Sequence, residues 1–331
     1  MTPPPITFSR RRALVLGATA AASVVANLAA AQSRYPDHAI TLVVPFAPGG
    51  IADLTARAVA EPMAHTLGQA VVIDNRPSAG SIVASQLVAQ ARPDGHTLLL
   101  MSNSHALSAT LFKKLPFDAL RDFAPISTLG SFDIGLFAAA TGRITSLQGA
   151  LALARAQPGK LTLGSIAVGS TQHLAAELFK TVTGIDALIV PYKGSPALMT
   201  ALRSGEIDIA FEILGPMLAQ VASGSVRALA LAAEQRNPAL PAAPTALEAG
   251  VRGYSVSSWN ALAAPAGTPP AVIERLNAAV REAVASAGVQ QRLVALGMRL
   301  GAGSPAQMHA LLATEMARWA VVIRGARIEP E

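Results

Sequence analysis

The sequence predicts an α/β protein built as two lobes, each a mostly parallel sheet flanked by helices. Short apolar, strand-like runs alternate with stretches of helical periodicity from residue 38 onward. The alternation occurs twice, before residue 133 and again between residues 134 and 253, after which the chain turns helical almost to its end. Hydrophobic residues fill 51% of the 331 positions and charged residues only 14%, enough apolar material for one large or two medium domains. Short strands joined by helices imply a sheet covered on both faces.

The first series opens with ITLVVPF (40–46), a β-branched run that reads as a strand. Residues 51–68 carry Ile51, Leu54 and Ala58 at helical spacing, with Pro62 expected to kink or shorten that helix. QAVVIDN (69–75) is a second strand, and SIVASQLVAQ (81–90) a helix leading through a Pro-Asp-Gly turn to a strand that ends at Ser102. In the second series LTLGS (161–165) is a strand, residues 170–183 a helix opened by Ser170 and Thr171, and ALIVPY (187–192) a strand. PALMTALRSG (196–205) is a helix closed by glycine, and IDIAFEI (207–213) and VRALALAA (226–233) are strands. After GYSVSSWNALAAPAGTPP (253–270), the segments AVIERLNAAVREAVAS and PAQMHALLATEMARWAVVIRG show clear amphipathic periods. Residues 33–133 with 254–331 are assigned to lobe 1 and residues 134–253 to lobe 2. Two crossings between lobes imply a hinge and a cleft.

The formal charge of +6 does not point to nucleic acid, because Arg10, Arg11 and Arg12 carry half of that excess and no basic cluster stands elsewhere. Those arginines precede an uncharged, alanine-rich run that ends in Ala29-Ala30-Ala31. This is the pattern of a cleaved export signal covering residues 1–31, and it suits either the general secretion route or the twin-arginine route. The sequence has no cysteine, which excludes disulfides, thiolate metal sites and a lipidated cysteine after cleavage. A soluble periplasmic protein is expected, as a monomer.

In open α/β sheets ligands bind beyond the carboxyl ends of the strands, where helix N-termini present free amides. Two segments fit. In PFAPGGIAD (45–53), Gly49 and Gly50 let the backbone approach a ligand, Asp53 can accept amide hydrogen bonds, and Phe46, Ala47, Ile51 and Ala52 flank them. In LTLGSIAVGSTQHLAAE (161–177), Ser165, Ala167, Val168, Gly169, Ser170 and Thr171 stand at a strand-to-helix junction. Together they form a two-sided anion clamp. Gly164 and Gly169 have the spacing of a phosphate-binding loop, but Ser170 stands where that motif requires lysine. His38, His65, His96, His105, His173 and His309 are scattered without HxxxH or HExxH pairing, so no metal site is expected. Asp53 reads as a positioning residue and His173 as a helix residue packing its ring on the sheet. No acid, base or nucleophile converges, and neither catalytic residues nor a cofactor are expected.

The segments YPDHAITLVVPFAPGGIADLTARAVAEPM, VVIDNRPSAGS, PDGHTLLL, VPYKGSPAL, LRSGEIDIAFE and LPAAPTALEAGVRGYSVSSWNALAAPAGTP, in this order, resemble the Bug receptors. These are the periplasmic substrate-binding proteins of tripartite tricarboxylate transporters. The resemblance covers nearly the whole chain after the export signal. It implies a Venus flytrap fold and capture of a small organic carboxylate between the loop Phe46 to Asp53 and the loop Ser165 to Thr171, largely through main-chain amides. Ser81, Ser104, His105 and Glu212 complete the candidate ligand-binding set. Membrane permease subunits or a sensor kinase are the implied partners.

The departures from the family pattern concern specificity. Ile51 and Ala52 stand where the family usually has a serine or threonine pair, and Ile166, Ala167 and Val168 where it has small polar residues. Ile82 replaces a common asparagine and Glu212 a common aspartate. These replacements shift the expected ligand from citrate toward a carboxylate with an apolar or aromatic body.

Overall fold

The computed structural model describes residues 35–330, and the expected export signal lies outside them. Strand β1 (Ile40–Val44) is buried along almost its whole length and pairs in parallel with both β2 (Val71–Asn75) and β3 (Thr97–Ser102). Helix α1 (Ile51–Leu67) joins β1 to β2, and α2 (Ile82–Ala89) joins β2 to β3. Pro62 does not end α1, which runs on to a left-handed Gly68 cap. Val59, Met63 and Leu67 bury their side chains in the core on either side of the proline, and that burial outweighs one missing amide.

After α3 (Asn103–Leu111) comes a feature the sequence reading did not anticipate, the 17-residue strand β4 (Phe123–Ala139). Through Asp133 it pairs with β9 (Ser257–Pro265), and from Ile134 it pairs with β7 (Ile209–Ile213) and, one residue on, β8 (Val226–Leu231). Between them the chain forms α4 (Leu147–Ala156), β5 (Leu161–Ile166), α5 (Thr171–Thr183), β6 (Ala187–Tyr192), α6 (Ser195–Ser204) and α7 (Leu214–Ala222). Strand β5 is parallel to both β6 and β7. The chain closes with α8 (Pro270–Ala285), α9 (Ala287–Ala295), β10 (Met298–Leu300) and α10 (Pro305–Gly325).

The protein is thus a two-lobed α/β structure with the strand order β2-β1-β3-β9-β4-β7-β5-β6. Each sheet is mixed rather than mostly parallel. The outer trios β2-β1-β3 and β6-β5-β7 are parallel, whereas β9, β10, β7 and β8 all meet β4 antiparallel. The reason is the double crossing: one strand carries the chain out of the first sheet, its neighbour carries it back, and the two must run in opposite directions. A single apolar cluster connects Leu99 and Met101 of β3, Ile134 and Leu136 of β4, Leu163 of β5 and Phe211 of β7, with Trp319 of α10 fully buried against it.

At the point where β4 changes partners, the buried Asp133 accepts hydrogen bonds from Arg299 Nε at 2.9 and 3.0 Å and from Asn237 Nδ2 at 2.9 Å. Asn237 also donates to the Gly297 carbonyl, so one carboxylate ties β4, β10 and the segment after β8. Replacing Asp133 by alanine leaves a half-buried guanidinium and a buried amide without their acceptor. Urea unfolding is expected to show a loss of about 2–4 kcal/mol, with Asp133→Asn in between.

Candidate ligand-binding site

A cavity of about 550 Å³ opens at the carboxyl ends of the parallel strands. Five strand-to-helix junctions form its wall. Gly50, Ile51 and Ala52 come from the entry to α1, Ser102 and Ser104 from the β3–α3 junction, Gly169 to Gln172 from the entry to α5, Ser195 from the start of α6, and Ile213, Gly215 and Pro216 from the β7–α7 junction. The first-turn amides of a helix have no carbonyl four residues back to bond. At α1, α6 and α7 no capping side chain takes them either. At α5 the Ser170 hydroxyl accepts from His173 N–H alone, which leaves the amides of Thr171 and Gln172 unpaired. Each helix start carries a partial positive charge of about half a unit, so the five create a positive field with no cationic side chain. No residue lining the cavity is charged. Phe46, Ile51, Leu107, Phe132, Ile166 and Leu296 make much of the wall apolar.

The loop between β1 and α1 is held from behind. Gly49 has φ +80°, a left-handed conformation that side-chain-bearing residues rarely adopt, and its amide donates to Asp53 Oδ2 at 2.9 Å. Asp53 is buried and also accepts from Arg57 Nε and Asn75 Nδ2, both at 3.0 Å, while Asn75 donates to the Phe46 carbonyl. Burial alone would raise the Asp53 pKa; the hydrogen bonds from Arg57, Gly49 and Asn75 outweigh it and hold the carboxyl below its ordinary range. Asp53 therefore shapes the cradle from outside the cavity. Asn75, at the end of the VVIDN strand, shares this task and escaped the sequence reading.

A second polar support lies under α3. Ser81, in a left-handed conformation and buried, places its hydroxyl 2.7 Å from that of Ser104, which lies 2.8 Å from the Ser102 hydroxyl. Of these, Ser102 and Ser104 reach the cavity. His105 does not: fully buried, it accepts the Ser102 amide at Nδ1 (3.1 Å) and lies 3.1 Å from Ser85 Oγ at Nε2. Ser85 in turn donates to the Ser81 carbonyl, which fixes the proton on Nε2. Ile82 packs against the core beside this network rather than lining the cavity.

On the opposing loop Gly169, Ser170, Thr171 and Ile166 line the cavity, whereas Ser165 is buried beneath it and Ala167 and Val168 turn away. Val168 is 59% exposed. Ala47 on the first loop also lies outside the wall. His173 is buried and its Nδ1 accepts the Gly169 amide at 3.3 Å, so its ring braces the loop. Asn103 Nδ2 donates to Thr171 Oγ1 at 3.1 Å, linking α3 to α5 across the cavity floor. Glu212 sits behind the wall, fully buried, and accepts from Gln172 Nε2 and Ser195 Oγ at 2.7 Å and from the Ile213 amide at 2.8 Å. Burial pushes its pKa up against those three donors. A ligand therefore meets Gln172 and Ser195, not the carboxylate. Phe132, Ser258 and Asn260, on strands β4 and β9, complete the wall; nothing in the sequence reading marked them because those two strands were not foreseen.

Burial lowers the His105 pKa to about 4, against about 6.5 in an unfolded chain. Between those values the unfolded chain binds a proton that the folded protein refuses, so stability falls as pH drops from about 6.5 and levels off below about 4. His105→Gln keeps the capping box, since Ser304 and Gln307 build the same box at α10. Urea midpoints measured from neutral to acid pH should show the native protein losing on the order of 2–3 kcal/mol more than this variant. His173 titrates in both proteins and cancels in the comparison.

Among the described residues no helix is long and apolar enough to cross a membrane. Residues 55–328 match the family described as "Tripartite tricarboxylate transporter family receptor". The chain is 35% identical to the protein BugT of Bordetella pertussis over 314 residues, 94% of this chain and 96% of the relative. It is also 35% identical, over 95% of its own length and 94% of the relative, to a Pseudomonas UPF0065 protein encoded in the tcbD-tcbE intergenic region. A Rhodopseudomonas palustris protein solved with adipate superimposes with a TM-score of 0.79 at 34% identity, covering 90% of this chain and 100% of that one. MatC of the same organism, with bound malate, gives 0.75 at 33% identity over 87% of this chain and 100% of that one. The chain belongs to the tripartite tricarboxylate transporter receptor family, the Bug receptors that its sequence resembles.

Proposed function

We propose that the protein is an exported periplasmic receptor that captures one small organic carboxylate and delivers it to a membrane permease. The observation that carries this reading is the convergence of five helix N-termini on a cavity without a charged side chain. Such a site binds an anion through fixed amide dipoles. No titratable side chain reaches its surface, which favours a receptor over an enzyme. Relatives solved with malate and adipate support the carboxylate class.

The ligand carboxylate is assigned to the free amides of α1 and α5, with the hydroxyls of Ser104 and Thr171 within the same wall. Its body lies against Ile51, Ala52, Ile166, Phe132 and Leu296. Each Å² of apolar surface buried there contributes roughly 25 cal/mol. A further carboxylate in that region loses water without gaining a donor. Monocarboxylates with an aromatic or branched body should therefore outrank dicarboxylates, and citrate should bind least. Calorimetry with benzoate-like, adipate-like and citrate-like acids tests the order. Exchanging Ile51 and Ala52 together for serine and threonine should move preference toward the polar acids by about 1 kcal/mol, or roughly fivefold in Kd. Tightest binding of citrate by the native protein would refute the apolar-body reading.

Residues 33–133 with 254–331 are proposed to move against residues 134–253, hinging where β4 and β9 cross. A ligand held by α1 and α5 has contacts in both parts and favours the closed arrangement. Small-angle scattering should show a smaller radius of gyration at saturating ligand. Stoichiometric binding without compaction would discard the hinge and leave the receptor reading standing.

A further inference from the structure

We propose that Asp37, His38 and His96 form a binding site for a divalent transition-metal ion of the zinc type, at the edge of the first sheet opposite the ligand cavity. The register of the sheet creates it. Strands β1 and β3 are parallel neighbours with Thr41 opposite Thr97, and the Thr41 amide donates to the His96 carbonyl. The residues that lead into the two strands therefore meet, although they lie far apart in sequence and show no metal-binding spacing. Asp37 Oδ1 lies at the edge of the two stacked rings, 2.6 Å from His38 Nδ1 and 3.2 Å from His96 Nε2. One ligand atom from each of the three residues lies within 4.8 Å of the others. Two imidazoles and a carboxylate at such separations close on one ion once the His38 ring, 55% exposed, swings off its stack on His96 so that both ring planes point at the metal.

The state of His96 distinguishes this cluster from an ordinary surface group of like composition. Its side chain is nine-tenths buried, and neither ring nitrogen makes an aligned hydrogen bond. Nε2 faces Asp37, while Nδ1 faces Asp94 Oδ1 at 3.4 Å. A histidine with one nitrogen toward a ligand set and the other toward a carboxylate is the arrangement that orients metal-bound imidazole. Tyr35 packs edge-on against the His96 ring and anchors its own hydroxyl on the Gly95 carbonyl, which limits rotation of that ring. The chemistry also selects the ion. Arg92, paired with Asp94, and Arg275, bonded to the Thr66 carbonyl, border the same hollow and offset its two carboxylates. Calcium and magnesium need several oxygen ligands and gain little here, whereas zinc, nickel or copper take imidazole nitrogen directly.

Such an ion would clip the segment before β1 to the turn before β3 and stabilise the folded chain by mass action. Untagged protein freed of metal by chelation should take up one equivalent of zinc in calorimetry, with a rise in Tm, and should ignore calcium. His38→Ala should weaken zinc at least tenfold and His96→Gln at least a hundredfold. Replacing the exposed His65 and His309 by alanine should change nothing. Asp94→Asn, at a positioning residue, should weaken zinc about tenfold and alter the visible spectrum of the cobalt-loaded protein while the metal-free Tm stays put. Because His38 is exposed, its variant decides the matter even if His96→Gln fails to fold. Zinc uptake by His38→Ala equal to that of the native protein, or none by the native protein, overturns the proposal.

Discussion

Strand direction is the constraint on which the rest of this structure depends. Within each outer trio the strands point the same way, so every following helix begins at the same edge. The two trios face each other across β4 and β9, and their helix starts meet around one cavity. The positive potential there is a property of the backbone and survives changes of side chain. Under the proposed function this separates two tasks within one site: main-chain amides would hold an anionic group, while Ile51, Ala52, Ile166 and Phe132 would face what is attached to it.

Glu212 shows the same field acting on the protein itself. From behind the wall its carboxylate occupies donors from α5, α6 and the end of β7. Three hydrogen bonds favour the ionised form, and full burial opposes it. In either protonation state Glu212 fixes the Gln172 and Ser195 side chains and reduces the free donors on that side. The first-turn amides of the helices around the cavity are not among the partners of Glu212. Gly215 contributes in a different way: a Cβ there would stand 2.7 Å from the Leu296 carbonyl, so only glycine lets α7 approach the end of α9 and close the wall.

The sequence showed those parts of the fold that rest on local periodicity. Strands β1, β2, β3, β5 and β6, the helices that follow β1 and β5, and the long terminal helices all repeat apolar residues at the period their packing needs. Strands β4 and β9 were missed because their apolar content is dense on both faces and their register shifts partway, which erases alternation. With them went Phe132, Ser258 and Asn260. The two loops were legible from their glycines, but the direction of each side chain was not: Ile166 faces the cavity while Val168, two residues on, faces solvent. Glu212 and His105 were recognised as belonging to the site region, yet only the packing shows that both act from behind the wall.

Strand polarity also sorts charge to the opposite edge. Helix α1 starts at the cavity and ends at the far side of the first sheet, where its unpaired carbonyls give a partial negative field. Arg275 already exploits this by donating to the Thr66 carbonyl in the last turn of α1. The hollow that Arg275 borders is the one holding Asp37, His38, Asp94 and His96, just beyond the end of α2. An anion cradle at the carboxyl edge and a cation-seeking cluster at the amino edge are therefore two outcomes of one geometry. Because the two lie at opposite ends of β1 and β3, an ion at the histidines would act on the ligand only through the stability of those strands, not through its charge at the cavity.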